Sequence, residues 1–271
     1  KMIKTKLKVS LVQLQSKGSP KENTIIVKKY LNKTKNFKPD LICLPECVNI
    51  LTNNRSYLFN NVTSQNKCQI LEECLSFSKK NKVFISIGSL LLKDDKSKKL
   101  YNRSIFINSF GKIIDYYDKI HLFDVNLTKK DTYKESESFN KGSKLVSVNT
   151  PWGKIGLTIC YDLRFPNLYK NLVRKGVKII LVPAAFTTKT GKDHWEVLLR
   201  SRAIENSVYI FASAQCGVHH DKRETYGHSM IVNPWGKIIK KANFLPAILN
   251  THIDLSLVDR VRSKIPAYKY D

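Results

Sequence analysis

Short apolar runs recur from one end of this chain to the other, and stretches with helical spacing separate many of them. This alternation constrains the fold more than any other feature. Period-2 or continuous apolar runs read as strands, and apolar residues spaced three and four apart read as helices. Strand patterns cover Lys8–Leu14, Asp40–Glu46, Val83–Leu92, Asn102–Ser109, Lys112–Lys119 and Leu145–Asn149. They continue at Lys154–Tyr161, Lys178–Ala185, Val208–Gln215, Ser229–Asn233 and Lys237–Lys241. Helical patterns cover Asn23–Asn36, Lys67–Lys80, a segment after Pro166, a segment opening at Asp193 with Glu196 in capping-box position, and Ser256–Lys264. Three local repeats, Phe110-Gly111-Lys112-Ile113, Trp152-Gly153-Lys154-Ile155 and Trp235-Gly236-Lys237-Ile238, read as glycine turns of hairpins. Helices interleaved with both open and hairpin strand connections predict a layered α/β domain. No linker interrupts the pattern, so residues 1–271 are expected to form one domain. The segment 120–143 is polar with weak periodicity, the character of a long functional loop.

Composition narrows the setting. The chain is 42% apolar, enough for a substantial core, and no run has the roughly 18 apolar residues of a membrane span. The basic start at Lys1–Lys8 passes straight into apolar alternation without the order of a signal peptide. Six cysteines, Cys43, Cys47, Cys68, Cys74, Cys160 and Cys216, sit mostly in apolar runs, as buried free thiols do. Cys43 and Cys47, four apart on an expected strand at about 3.3 Å per residue, are too distant for a disulfide. These features predict a reducing, cytoplasmic setting, with the sequons at Asn54, Asn61, Asn102 and Asn126 left unused. The net charge is +25, but lysines outnumber arginines 38 to 9 and are scattered. Nucleic-acid sites favour Arg forks and stacked aromatics. A solvated lysine surface is therefore expected, with neither nucleic acid nor membrane as a main partner.

The chemistry concentrates at three strand ends. Ile155-Gly156-Leu157-Thr158-Ile159 runs into Cys160, and Pro166 opens a helix soon after. A strand–turn–helix elbow exposes its apex side chain and aims backbone N–H groups at it. A helix N-terminus nearby is expected to lower the thiol pKa. Two other strand ends carry ionisable groups, Leu44-Pro45-Glu46 after an apolar strand and Tyr117-Asp118-Lys119. Strand ends are where sites assemble in open α/β sheets. Taken singly, each residue also reads as ordinary: a buried structural cysteine, a solvated carboxylate, one more surface lysine.

Together, Leu44-Pro45-Glu46, Lys119-Ile120-His121-Leu122 and Cys160-Tyr161-Asp162-Leu163-Arg164-Phe165-Pro166 resemble the Glu–Lys–Cys signature of the nitrilase superfamily. The similarity runs along essentially the whole chain. Pro183–Thr187, Thr190-Gly191, His194–Arg200 and Tyr226–Met230 resemble the amidase branch that includes omega-amidase and deaminated glutathione amidase, and Ala214–Arg223 looks most like the latter subgroup. The resemblance implies an αββα sandwich that forms homodimers or higher oligomers. It also implies a second glutamate before the cysteine strand, best matched by Glu135 with Glu137 as competitor.

With Cys160 as nucleophile, Glu46 would be general base, and Lys119 with the Tyr161 N–H would bind the oxyanion. Glu135 would orient Lys119. Whether burial or Lys119 dominates the pKa of Glu46 is not readable from sequence. Arg164 suits a substrate carboxylate, Phe186 and Thr190 an acyl pocket, and Lys222 and Arg223 a second carboxylate on the leaving-group side. The expected partner is a small anionic amide, with no cofactor. A competing zinc reading of Cys216, His219, His220 and His228 supplies ligand types without a recognised frame.

Overall fold

The chain, described by a computed structural model over residues 4–128 and 131–269, is built on two six-stranded sheets. The first uses β1 (Lys6–Gln13), β2 (Leu41–Cys43), β3 (Phe84–Lys93), β4 (Leu100–Ile107) and β5 (Ile113–Asp118). Helices α1 (Pro20–Thr34), α2 (Arg55–Asn61) and α3 (Gln69–Asn81) lie between them in sequence. A small hairpin, β6 (Asp124–Thr128) and β7 (Asp131–Lys134), then stands apart from both sheets. The second sheet takes β8 (Ser147–Thr150), β9 (Gly153–Leu157), β10 (Val177–Leu181) and β11 (Tyr209–Ala212), with α4 (Pro166–Arg174) and α5 (Thr188–Asn206) as crossovers. After a second hairpin, β12 (Cys216–Val218) and β13 (Glu224–Tyr226), β14 (Met230–Val232) and β15 (Ile238–Lys241) complete that sheet. Strand β16 (Ala247–Asp254) returns to the first sheet beside β1, and α6 (Ser256–Lys264) follows.

The spatial orders are β16-β1-β2-β3-β4-β5 and β15-β14-β11-β10-β9-β8. In each sheet the central strands joined by helices run parallel and the outer ones are antiparallel. Residue alternation sorts side chains into layers. Val9 and Leu11 of β1 meet Ile155, Leu157, Ile179 and Phe211 in a core between the sheets. Val12 and Ile42 face the other way, onto Val27 and Leu31 of α1 and Ile70 and Cys74 of α3. On the second sheet, Ile180 and Ile210 face Leu172 of α4 and Trp195 and Leu199 of α5. The result is the expected αββα sandwich.

The glycine turns close hairpins β4–β5, β8–β9 and β14–β15, with Gly111, Gly153 and Gly236 at φ +72, +97 and +80°. Several boundaries differ from expectation. Helix α5 begins at Thr188, so Asp193 is interior and no capping box opens there. Strand β2 ends at Cys43 and β9 at Leu157, because the residues beyond them turn away to form the site. The 120–143 segment is not a bare loop: it carries β6, β7 and a one-turn 3-10 helix at Glu135–Glu137. That segment and the basic start at 1–8 are each seen in part, since 1–3, 129–130 and 270–271 lie outside the described residues. Periodicity missed α2, β12, β13 and β16.

Candidate active site

The nucleophile candidate sits on a strained turn. Cys160 has φ +47°, a left-handed value that β-carbon sterics disfavour, and opens a 3-10 turn over Cys160–Arg164. Its N–H donates to Pro183 O at 2.9 Å. The turn is braced from behind by Asp162, whose buried carboxylate accepts from Ile159 N at 2.8 Å, Tyr117 Oη at 2.7 Å and His121 N at 3.1 Å, with His121 Nδ1 at 2.7 Å. Tyr117 and His121 flank Lys119, so one carboxylate ties the cysteine elbow to the lysine segment.

Glu46 follows β2 across Leu44 and Pro45. Its backbone is pinned through Gln215 Nε2 to Glu46 O (2.8 Å), and the next residue through Cys47 N to Ser89 Oγ (2.9 Å). Gly88 permits this approach: a β-carbon there would lie 2.1 Å from Leu44 O and 2.5 Å from both Pro45 O and Pro183 Cβ. Lys119 follows β5, with its N–H on Asn102 O at 3.0 Å.

The side chains converge in one buried cluster. Lys119 Nζ lies 3.1 Å from Glu46 Oε1 and 2.9 Å from Glu135 Oε2, and Glu46 and Lys119 are 3% and 2% exposed. Glu46 Oε2 accepts Ala185 N–H at 2.7 Å, and the same carboxylate acts electrostatically on the Cys160 thiol. Glu135 also accepts Phe123 N–H at 2.6 Å. Glu137, the competitor, instead turns outward to Arg55. Burial alone would raise the Glu46 pKa, but Lys119, Asn102, Cys160 and Ala185 together hold it below the usual carboxylate range. Burial opposes the charge on Lys119, and Glu135 and Glu46 overcome it, so the ammonium persists. The Cys160 thiol is pushed well up by burial and by the Glu46 charge, against the pull of Lys119. This reverses the sequence expectation of a lowered pKa, because burial first and the neighbouring Glu46 carboxylate second both disfavour the thiolate.

This cluster forms the floor of a cavity of about 180 Å³, a scale suited to a small molecule. Tyr161, Arg164, Phe186, Thr190 and Arg223 all line it. The Arg164 guanidinium lies over the Phe186 ring and 3.1 Å from His194 Nδ1. Arg223 reaches inward to Ala185 O at 2.8 Å, while its Nε is buried with no hydrogen-bond partner among the described residues. Lys222 does not join it: it is exposed, at φ +65° on the β12–β13 turn, and lies outside the lining, because the turn carries it into solvent. The zinc candidates are dispersed. His219 bonds Ser16 O and Thr225, His220 stacks on Tyr57 and His228 bonds Tyr226 O. Among the described residues no three His, Cys, Asp or Glu side chains group for a metal.

Two residues that adjoin the charged cluster were not singled out as site residues from the sequence. Asn102 touches both glutamates, and its only signal is a polar residue inside an apolar strand; it is 1% exposed, so its sequon cannot be reached in the folded chain. Cys47, at φ +55° beside Glu46, lines the cavity, with its thiol pushed well up by burial.

Comparison with known proteins places this site in context. The carbon-nitrogen hydrolase family model matches residues 8–263. The chain is 39% identical to the deaminated glutathione amidase of Dictyostelium discoideum, over 100% of this chain and 96% of that one. Among solved structures, the NitFhit protein of C. elegans superposes with TM-score 0.92 at 33% identity, covering 100% of this chain and 66% of that one. Saccharomyces cerevisiae Nit3, a member of branch 10 of the nitrilase superfamily, superposes with TM-score 0.87 at 31% identity, covering 98% and 96%. With the fold, the matched span and these relatives in agreement, the chain belongs to the carbon-nitrogen hydrolase family of the nitrilase superfamily and is a hydrolase of amide carbon–nitrogen bonds.

Proposed function

We propose that this chain is a thiol amidase that hydrolyses deaminated glutathione to 2-oxoglutarate and cysteinylglycine, with Cys160 as nucleophile. The observation that carries the reading is the convergence of Glu46, Lys119 and Glu135 on Cys160 at the floor of one cavity. Glu46 takes the thiol proton as Sγ attacks the amide carbon. Lys119 Nζ and the Tyr161 N–H bind the oxyanion, and Glu135 keeps Lys119 oriented. Glu46 then returns the proton to the leaving amine, and the C–N bond breaks to give a thioester on Cys160. Glu46 next takes a proton from water, whose oxygen attacks the thioester, and the proton passes to the departing sulfur.

The substrate assignment rests on the named Dictyostelium relative and on the cationic lining. We assign Arg164 to the oxo-acid carboxylate, Phe186 and Thr190 to the acyl chain and Arg223 to the leaving-group side; the support is that all four line the cavity. Omega-amidase action on 2-oxoglutaramate passes through the same thioester and differs only in releasing ammonia. We further propose that the protein works as a homodimer in the cytoplasm, where its free thiols are stable.

Assaying both substrates side by side tests the reading. Deaminated glutathione should have the higher kcat/KM. Cys160→Ala should abolish turnover of both while the fold persists, and mass spectrometry of the wild-type enzyme should find the acyl group on Cys160. An acyl group on Cys47 or Cys216 instead would overturn the assignment.

A further inference from the structure

Two carboxylates, Glu46 and Glu135, share one ammonium, Lys119. One lysine neutralises only one of them, and the cluster is closed off from water on most sides. In such surroundings two nearby carboxylates repel, and one of them tends to capture a proton. A neutral donor that reaches both carboxylates would hold the pair side by side against that repulsion.

Asn102 occupies that position. It lies on β4, and its side-chain Nδ2 donates to Glu46 Oε1 at 2.9 Å and to Glu135 Oε1 at 3.2 Å. Each of its two N–H hydrogens thus has a carboxylate acceptor. Its backbone carbonyl receives the backbone N–H of Lys119 at 3.0 Å, so the residue that binds both carboxylates also anchors the main chain of the lysine. The orientation of the amide is unambiguous, since a flip would turn its carbonyl oxygen onto two carboxylates. In the orientation seen, Oδ1 is buried without a hydrogen-bond partner among the described residues. A buried orphan acceptor is unfavourable. It is retained because the other end of the same amide does something a self-satisfied side chain would not.

The geometry assigns Asn102 as a positioning residue for the hydrolysis: a neutral two-pronged donor that clamps Glu46 and Glu135 side by side and leaves Glu46 turned to the Cys160 thiol. This deepens the amidase reading and rests on it. The occupancy of Glu46 explains why a neutral donor fits. Oε1 is taken by Lys119 and Asn102, and Oε2 receives Ala185 N–H. The carboxylate is therefore held at three points while it exchanges a proton with sulfur. The Asn102 bond is also among the influences that keep the Glu46 pKa low. Without it, Glu46 would be protonated at a higher pH and the base lost there.

The test compares wild type with Asn102→Leu, which keeps the branched shape but has no donor, and Asn102→Ala. Turnover of deaminated glutathione is measured from acid to neutral pH, with acylation of Cys160 followed by mass spectrometry. Both variants should lose about 10- to 100-fold in kcat, with KM changed little, and the acid limb of kcat/KM should move to higher pH. Asn102→Ser, smaller and retaining one donor, should fall between them and wild type, and it serves should the others fail to fold. Folded variants with near-normal kcat and an unmoved acid limb would overturn the inference while the Cys160 acyl-enzyme stands. A wild-type enzyme that never acylates Cys160 would overturn the amidase reading itself.

Discussion

At the scale of single residues, proximity and charge divide what the sequence could tell from what it could not. Glu46, Lys119 and Cys160 were legible because each stands at a strand end and their three motifs occur together in one order, though each alone reads as ordinary. Asn102 was not, because its partners come from three other segments and meet only after β4 is paired with β5. Lys222 and Arg223 looked equivalent as adjacent cations, yet only Arg223 reaches the cavity. A prediction follows from this split. Arg223→Ala should reduce kcat/KM for deaminated glutathione by about 10- to 100-fold, as loss of a charge-assisted hydrogen bond does. It should reduce 2-oxoglutaramate, which has no second carboxylate, far less. Lys222→Ala should change neither. Because Arg223 also holds Ala185 O, and Ala185 N holds Glu46, equal losses for both substrates would assign Arg223 to support of the base instead.

At the scale of elements, the sandwich was readable because each strand's alternation serves two cores at once. The short hairpins β6–β7 and β12–β13 were not, because three to five residues carry too little period to register. These unreadable elements bring Glu135 and Arg223 to the cavity, while the regular ones form the frame. One close approach within the frame is at Gly88 on β3, beneath the segment that carries Glu46 and beside Pro183, which holds the Cys160 N–H. Gly88→Ala places a methyl group against two backbone carbonyls that cannot rotate aside. Melting temperature should fall by several degrees. Turnover should fall by about 10- to 100-fold, since the base and the nucleophile would be pushed apart. A variant with a lowered melting temperature but intact turnover would show that the strain is absorbed away from Glu46.

At the scale of the whole molecule, stability and reactivity are both tied to buried titratable groups. His219 joins β12 to the loop after β1 through Ser16 O (2.9 Å) and Thr225 Oγ1 (2.7 Å), and burial pushes its pKa down from 6.5 to about 4. Between those two values the unfolded chain binds a proton that the folded chain refuses. Its contribution is therefore present above about pH 6.5 and is lost as pH falls through that window, up to about 3 kcal/mol. Denaturant unfolding at pH 7 and pH 4 should show that difference, and His219→Gln should flatten the slope between them. The thiols carry a different consequence. Cys43, Cys47, Cys68, Cys74 and Cys216 are buried, and Cys160 alone is partly exposed, at the floor of the cavity. An alkylating agent or a peroxide entering the cavity thus meets Cys160 as the more exposed of the two sulfurs that line it, the other being Cys47. On the proposed mechanism, damage at Cys160 and loss of activity are then the same event, and a substrate bound in the cavity shields both sulfurs.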